Sequence, residues 1–592
     1  MSSYLLSGID ALACEVEVDF DDTTASDAPK GVVVGLPDAG VKESIERVKA
    51  AVVNSGYAYP RGRLLINLAP ADVRKEGPIY DLPIALGLLM VQGVIEDPAL
   101  RRFTKGAGSK PGGGSKVVTK VNRTASGAVS VSKMREAVEK GAGGAAEARG
   151  EEGDELSRAF DEAMARGDVD RGDGGGADEP TAEELLDLRR YLVAGELALD
   201  GRVRPVKGVI AMATLARQLG LAGVIVPREN AAEAAVVPGV EAIGVSSLVE
   251  AVGMLSGRVA VNVQAPTDVA ALLRTSSAEI DFADVRGQES VKRAIVVAAA
   301  GGHNIIMLGP AGTGKSMMAK ALPGVLPAMT VEEAIEVTRV YSAAGKMEGG
   351  QGVVTVRPVR TPHHTASGAA VIGGGMIPRP GEVSLAHRGV LFLDELPEFP
   401  RDVLETLRQP LEDHVVTIAR SHSAVKFPAS FMLVAAMNPT PKGDMPSDEG
   451  GRRAMERYLA KLSGPLVDRI DIHVEAPAVP FKQLSGRDGP RGTSSAQMRE
   501  QVLTARRKQI ARQGEGKVNA RLSGRELDRL APMTEAARSI LEQAMTELKL
   551  SARAYDKIRR VARTIADLEG AETIDIAHVS EAVQYRLLDR RL

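Results

Sequence analysis

The chain has 592 residues, too many for a single hydrophobic core, and its 44% hydrophobic content is ample for several globular domains, about four by length. Its formal net charge of −3 sets up no global basic field, so any contact with nucleic acid or a membrane surface must come from local patches. Cys14 is the only cysteine, which excludes an intrachain disulfide and a cysteine-cluster metal site and suits a reducing compartment.

The N-terminal Met1–Leu6 carries neither a cationic stretch nor a long apolar run, so no signal peptide is expected. The first elements read as α/β structure, with strands at Gly31–Gly35 and Leu64–Leu68 and a helix from about Val41 to Ser55 between them. The longest apolar stretch, Leu82 to Ile95, is interrupted by Gln92 and is too short to span a bilayer. The expectation is a soluble, cytoplasmic protein with no membrane partner.

From about Arg101 to Pro180 the composition shifts to glycine runs and short alternating charges, with almost no aromatic residue. Such a segment buries too little apolar surface to offset its ordering entropy, and residues 101–182 read as a disordered insertion with a transient helix from Glu155 to Ala165. Its basic start, Arg101 to Arg123, either touches a polyanion or is a solvated linker, the simpler reading of such a composition. Ordinary patterning resumes at Tyr191–Ala198 and Gly223–Pro227, read as strands around a helix at Gly208–Leu219. Residues 1–100 and 183–256 then form one interrupted domain, and a Ser/Thr/Ala-rich linker, 257–280, leads to a second domain over 281–480.

That second domain contains Gly309-Pro310-Ala311-Gly312-Thr313-Gly314-Lys315-Ser316, which matches the P-loop pattern G-x-x-x-x-G-K-[ST]. Gly309, Gly312 and Gly314 permit backbone angles that side chains forbid, so successive N–H groups can turn inward on phosphate oxygens. Lys315 suits the β- and γ-phosphates of ATP, and the Ser316 hydroxyl suits Mg²⁺. The flanks agree, with a buried strand over Asn304–Leu308 and a helix over Ser316–Leu322.

A long Gly-rich excursion, Val353 to Pro380, follows and carries Arg357, Arg360, His363, His364 and Arg379. Its histidines either face a substrate or brace the nucleotide site; as a metal pair they are poorly placed, because adjacent residues on an extended chain point opposite ways. Gly389–Glu395 is an apolar strand that delivers two carboxylates at its end, Asp394 for the Mg²⁺ shell and Glu395 to polarise the attacking water. Val415–Ala419 and Ala424–Phe427 flank Arg420-Ser-His422-Ser, the pattern of a β-hairpin with a polar, partly basic tip, to which Lys426 adds a charge. The strand Phe431–Met437 ends at Asn438, which either orients the water or simply forms an Asn-Pro turn. Arg469 precedes the strand-like Ile472–Glu475 and is either a surface ion-pair partner or an arginine finger for a neighbour's γ-phosphate. Residues 481–493, rich in Gly, Arg and Pro, read as a hinge, and 494–592 as a helical lid with helices such as Ser551–Leu568 and Ile576–Leu587.

The order P-loop, Asp-Glu, Asn, Arg, helical lid is that of AAA+ ATPases, and the longer motifs sharpen the likeness. Asp284–Gln288, Arg360–Ser367, Ile372–Glu382 and Ser384–Glu398 resemble the magnesium-chelatase-like AAA+ family called YifB or ComM. Lys75-Glu76-Gly77 with Asp81–Gly87, and Gly195–Gly201, look like that family's N-terminal motifs, while Leu550–Tyr555 and Val561–Asp567 look like its lid motifs. The resemblance covers the whole chain except the insertion. It implies an α/β fold in which a P-loop AAA+ parallel sheet with a helical lid follows a Lon-protease-like (ribosomal S5-like) α/β domain. It also implies that Gly287 and Gln288 lie near the adenine, that Asn438 is the first sensor, Arg469 the finger acting in trans, and Arg553 the second sensor.

Two departures matter. Many relatives carry cysteines after the sensor asparagine, but Pro439–Asp448 has none, so no zinc is expected. Lon proteases have a serine just after a Lys-Asp/Glu-Gly-Pro run and a lysine after a Gly-Arg-Val-x-Pro run, whereas Ile79 and, at about the second place, Ile210 stand here. A serine–lysine hydrolase needs a hydroxyl with a base in reach, so no protease activity is expected.

The resemblance implies a homo-hexameric ring that hydrolyses ATP with Mg²⁺ and acts on DNA, translocating or migrating branches in recombination or natural transformation. Hairpins at the Val415–Phe427 position project into the channel in related hexameric helicases, which makes Arg420, His422 and Lys426 DNA-contact candidates, and the Gly-rich excursion adds Arg379. The alternative is a chelatase-type ATPase that remodels a protein partner.

Overall fold

The computed structural model describes residues 1–21, 31–60, 62–96, 186–375, 378–419, 424–440, most of 453–479 and 492–586. The 101–182 insertion, with its expected transient helix and basic start, and nearly all of the 481–493 hinge lie outside the described residues.

Strands β1 (Ser2–Ser7), β2 (Asp10–Asp21), β3 (Gly31–Val34) and β4 (Arg63–Ala69) form a sheet in the order β1-β2-β4-β3. β3 and β4 run parallel, and α1 (Ala39–Asn54) makes the crossover between them. α1 starts where the Asp38 carboxylate accepts from the Val41 amide at 2.7 Å, which satisfies one of the free N–H groups of the first turn. In β4 alternate residues Leu64, Ile66 and Leu68 face the core. The long apolar run becomes α2 (Asp81–Val91), a helix buried on every side. No helix among the described residues is long and apolar enough to cross a membrane.

Past the insertion, β5 (Tyr191–Val193), β8 (Gly223–Pro227) and β9 (Glu241–Val245) form a parallel sheet crossed by α3 (Val209–Gln218) and α4 (Arg228–Ala234). The strand expected over Tyr191–Ala198 is two pieces. The Gly195 amide turns to bond the Ile79 carbonyl, and β6 (Glu196–Leu197) pairs with β7 (Val203–Arg204) instead. The 257–280 stretch is more than a linker: Val269–Thr275 is a helix capped by Asp268, because Val269 and Leu273 fall one turn apart and bury in the core of α3.

The second domain is an all-parallel sheet of β10 (Ile305–Leu308), β11 (Val359–Arg360), β14 (Val390–Leu393), β17 (Met432–Met437) and β18 (Ile472–Glu475), in the order β11-β14-β17-β10-β18. Alternate residues enter opposite cores. Ile305, Met307, Val390 and Phe392 pack with α5 (Glu289–Gly301), while Ile306, Leu308, Leu391 and Leu393 pack on the far side. This double burial is why these strands read as unbroken apolar runs. The helix after the P-loop is α6 (Lys315–Ala321), and α7 (Val331–Ala344) follows, burying Ala334 and Val337 in the same core as α3. Two hairpins stand beside the sheet, β12 (Gly373–Gly374) with β13 (Arg379–Pro380), and β15 (Val415–Ala419) with β16 (Ala424–Pro428); α8 (Arg408–Asp413) precedes the latter. The C-terminal helices α9 (Ser495–Gln513), α10 (Ala552–Glu569) and α11 (Ile576–Gln584) share the core of α5 and one face of the sheet.

Asp81 is wholly buried and holds Arg47 through two hydrogen bonds of 2.8 and 3.1 Å. Arg47→Met strands that carboxylate without its cation, a loss of about 3–5 kcal/mol for a buried pair. Urea unfolding should show the first transition at a clearly lower midpoint, and an unchanged midpoint would show that the pair contributes nothing net.

Candidate active site

The loop after β10 emerges between two strand ends. The Gly309 amide donates to the Met437 carbonyl at 3.1 Å, and a Cβ at Gly309 would run into the Ala476 carbonyl. At Gly312 and Gly314 space is open, but φ is +79° and +83°, a region that favours glycine. Ala311 and Gly312 form the exposed tip, while Thr313 turns inward and its hydroxyl donates to the Pro310 carbonyl at 3.0 Å.

Lys315 is folded into this loop. Its Nζ donates to the carbonyls of Gly309 and Pro310, each at 2.7 Å, and to Oδ1 of Asn438 at 3.2 Å. Burial pushes the Lys315 pKa below the ordinary lysine value, with Asp394 opposing. The Ser316 hydroxyl donates to Asp394 at 2.7 Å, so the two residues expected to hold Mg²⁺ are in direct contact. Glu395 follows with φ of +51°, uncommon for a residue with a side chain, and its carboxylate lies 3.4 Å from Nδ1 of His364. His364 in turn packs edge-on against Phe399.

Gly287 and Gln288 both have left-handed backbone angles and lead into α5. The Gln288 Nε2 donates to the Pro477 carbonyl at 2.6 Å and lies 3.4 Å from the Thr313 carbonyl, which orients the amide. Its Oε1 is left buried with no hydrogen-bond partner among the described residues. These groups fit a Mg²⁺–nucleoside triphosphate: an amine held by exchangeable carbonyls for the phosphates, a hydroxyl–carboxylate pair for a hard cation, and an orphaned acceptor for an amino group of the base.

The two arginines are elsewhere. The Asn304 side-chain Nδ2, just before β10, donates to the Arg469 carbonyl at 3.0 Å, and Arg553 lies 3.5 Å from Asp468. Both therefore sit where the strands begin, separated from the P-loop by the length of β10, about 13 Å. The Arg469 guanidinium is hydrogen-bonded to Glu412 of α8. One chain thus gathers Gln288, Lys315, Ser316, Asp394, Glu395 and Asn438, and keeps Arg469 and Arg553 apart from them. Sequence patterns carried no signal for Glu412, and of the two readings of the histidines the contact with Glu395 is the bracing one for His364.

Arg379 is exposed on β13, and Lys426 is exposed on β16 opposite Thr417, while Val416, Ile418 and Phe427 bury the hairpin's other face. Arg420 and His422, and most of the cysteine-free loop 439–448, lie outside the described residues. In the first domain Ile210 is fully buried in α3, and Ile79 packs against the same apolar cluster.

Lys315→Ala removes a charge-assisted contact worth about 1.5–3 kcal/mol. Titration with a fluorescent ATP analogue should show roughly a 10- to 150-fold weaker Kd by that figure, and an unchanged Kd would remove Lys315 from the phosphates.

Residues 281–484 match the family model of magnesium chelatase, subunit ChlI, and residues 492–586 match the model of its C-terminal part. Residues 16–104 and 179–230 match a further model, subunit ChlI of Mg-chelatase. The chain is 36% identical over 590 residues to the competence protein ComM of Haemophilus influenzae, covering 99% of this chain and 96% of that protein. It is 36% identical over 587 residues to the protein YifB of Escherichia coli K12, with 99% and 96% covered. With the magnesium-chelatase 38 kDa subunit of Cereibacter sphaeroides it shares 26% identity over 211 residues, 33% of this chain and 58% of that subunit. With its five-stranded parallel sheet, P-loop and helical C-terminal region, the chain belongs to the magnesium-chelatase-like AAA+ ATPases of the YifB/ComM family.

Proposed function

We propose that the protein is a cytoplasmic, ring-forming motor that couples ATP hydrolysis to translocation along DNA or migration of DNA branches, in recombination or natural transformation. The observation that carries this reading is the likeness along 99% of the chain to a protein named for competence, which takes in the N-terminal domain as well as the ATPase. ATP with Mg²⁺ is the substrate. Lys315 binds the outer phosphates, Ser316 and Asp394 hold Mg²⁺, Glu395 polarises the attacking water and Asn438 orients it.

In a homo-hexameric ring, Arg469 and Arg553 of one subunit complete the site of the next. Their place at the end of the sheet opposite their own P-loop supports this. ATP clamped between subunits favours the assembled form by mass action. Lys426 and Arg379, with Arg420 and His422, contact DNA phosphates. The N-terminal domain is a scaffold and not a protease; the apolar surroundings of Ile79 and Ile210 support that reading. The second reading, remodelling of a protein partner, draws on the likeness to the 38 kDa chelatase subunit, which covers only 33% of this chain. ATPase rates with single-stranded, duplex and forked DNA separate the two, since a protein remodeller gains nothing from any of them.

An arginine finger contributes about 10³–10⁵ in kcat. Arg469→Ala should therefore be nearly inactive alone, yet recover activity when mixed with Lys315→Ala subunits, at interfaces pairing an intact P-loop with an intact finger. Full activity of Arg469→Ala as a dilute monomer rules the ring reading out.

Phosphate contacts release counterions, so DNA binding should weaken steeply with salt. Replacing Arg379 and Lys426 with alanine should reduce the slope of log K against log [salt] by about 0.7–0.9 for each phosphate that is no longer neutralised. A slope identical to the parent protein's excludes these two side chains from the DNA.

A further inference from the structure

We propose that two cations of the C-terminal helical region, Lys557 and Arg586, position Arg469 for its action on a neighbouring subunit, so that the lid sets the finger. This rests on the reading of Arg469 as a finger acting in trans.

Arg469, Ile470 and Asp471 form the short run that enters β18, and their three consecutive carbonyls are all held by side-chain donors. Asn304 Nδ2 holds that of Arg469 at 3.0 Å. Lys557 Nζ and Arg586 Nη1 converge on that of Ile470 at 3.2 and 2.6 Å, and the same Nη1 lies 3.2 Å from that of Asp471. The Asp471 carboxylate completes the cluster, 3.3 Å from Lys557 Nζ, 3.4 Å from His303 Nδ1 and 3.3 Å from the Asn304 amide. The chain after α11 is bound to the same place, since the His473 amide donates to the Tyr585 carbonyl at 2.8 Å.

Charge neutralisation alone does not account for this. Lys557 and Arg586 are 8% and 1% exposed, and burying cations is costly unless their hydrogen bonds are well made. Here the donors are directed onto the carbonyls of two successive peptides, either side of the Asp471 α-carbon, an arrangement that fixes the path of the chain. By contrast, the Arg469 guanidinium is bonded to Glu412, a largely exposed acid that it must leave to reach another chain. The two carbonyls that follow the finger are therefore clamped by the lid, and its side chain, 11% exposed, is bonded to an acid at the surface. A shift of α10 or α11 carries the Arg469 backbone with it. Lys557 and Arg586 are positioning residues; neither lies at the P-loop of its own chain.

The test compares full-length Lys557→Met, Lys557→Arg and Arg586→Lys with Arg469→Ala and the Lys557→Met/Arg469→Ala double variant. Steady-state ATPase is measured on rings whose assembly is verified by mass. A displacement of about 1 Å costs on the order of 100-fold. Lys557→Met should accordingly lose roughly 10- to 100-fold in kcat with KM for ATP within about twofold, and Lys557→Arg should restore most of it. The double variant should be no worse than Arg469→Ala alone, because both changes remove one interaction. Losses that multiply, or Lys557→Met at parental kcat while Arg469→Ala is dead, overturn the inference and leave the finger reading standing. Full activity of Arg469→Ala overturns the finger reading and the inference with it. If Lys557→Met does not assemble, Arg586→Lys, which keeps the charge and replaces the planar guanidinium whose Nη1 reaches both carbonyls, carries the same comparison; parental kcat in that variant overturns the inference.

Discussion

Leu308 stands beside Met437 on one side and Glu475 on the other, and this register of β10 between β17 and β18 governs the chemistry above it. Parallel strands deliver all their C-terminal ends to one edge. Lys315 and Asn438, 123 residues apart, meet there, as do Ser316 and Asp394, 78 residues apart. A slip of one residue would turn every buried side chain of the strand into the wrong core and move the loop by about 3.3 Å. The Gly309 position makes the constraint strict, because a side chain there has no room beside the Ala476 carbonyl.

The same parallelism separates as well as gathers. Strand starts collect at the other edge, and with them Arg469, Arg553 and the Asp471 cluster. A buried polar group at that edge reaches across to the C-terminal helices, since His303 Nε2 lies 2.8 Å from the Thr564 hydroxyl, and within the C-terminal region Asn519 binds both Thr564 and Asp567. Such a network holds two elements in one relative arrangement when all its members are paired. The apolar core beneath it is shared by α5, α9, α10 and α11, so the C-terminal helices are anchored by packing as well as by hydrogen bonds.

The first domain is joined to the ATPase in a similar way. α7 buries its apolar side in the core of α3, and the buried Glu233 carboxylate accepts from the Ile210 amide at 2.8 Å, from Asn230 at 3.2 Å and from the Ser342 hydroxyl of α7. Burial raises the Glu233 pKa, and these hydrogen bonds work against that shift. A carboxylate so placed ties α4, α3 and α7 together at one point.

Much of this was legible along the chain because its signals are local. An unbroken apolar tetrapeptide such as Ile305–Leu308, a Gly-rich turn with Lys-Ser behind it, and Asp-Glu at the end of Val390–Leu393 each announce themselves within ten residues. The β15–β16 hairpin was legible for the same reason, through two strand-like runs that flank the polar Arg420–Ser423 tip. The break at Ala194–Gly195 and the helix at Val269–Thr275 were not, because both depend on what packs against them: the Ile79 carbonyl in one case and the α3 core in the other. By itself the sequence determined which strands are buried on both faces, where the phosphate loop lies and which carboxylates follow it, since periodicity and turn chemistry act over a few residues. Only the tertiary structure decided that His364 meets Glu395, that Glu412 holds Arg469, that Lys557 and Arg586 clamp the segment leading into β18, and that both arginines lie a strand's length from the P-loop of their own chain. Those contacts join residues distant in sequence, and no local pattern encodes a distance that is set by the order and direction of the strands between them.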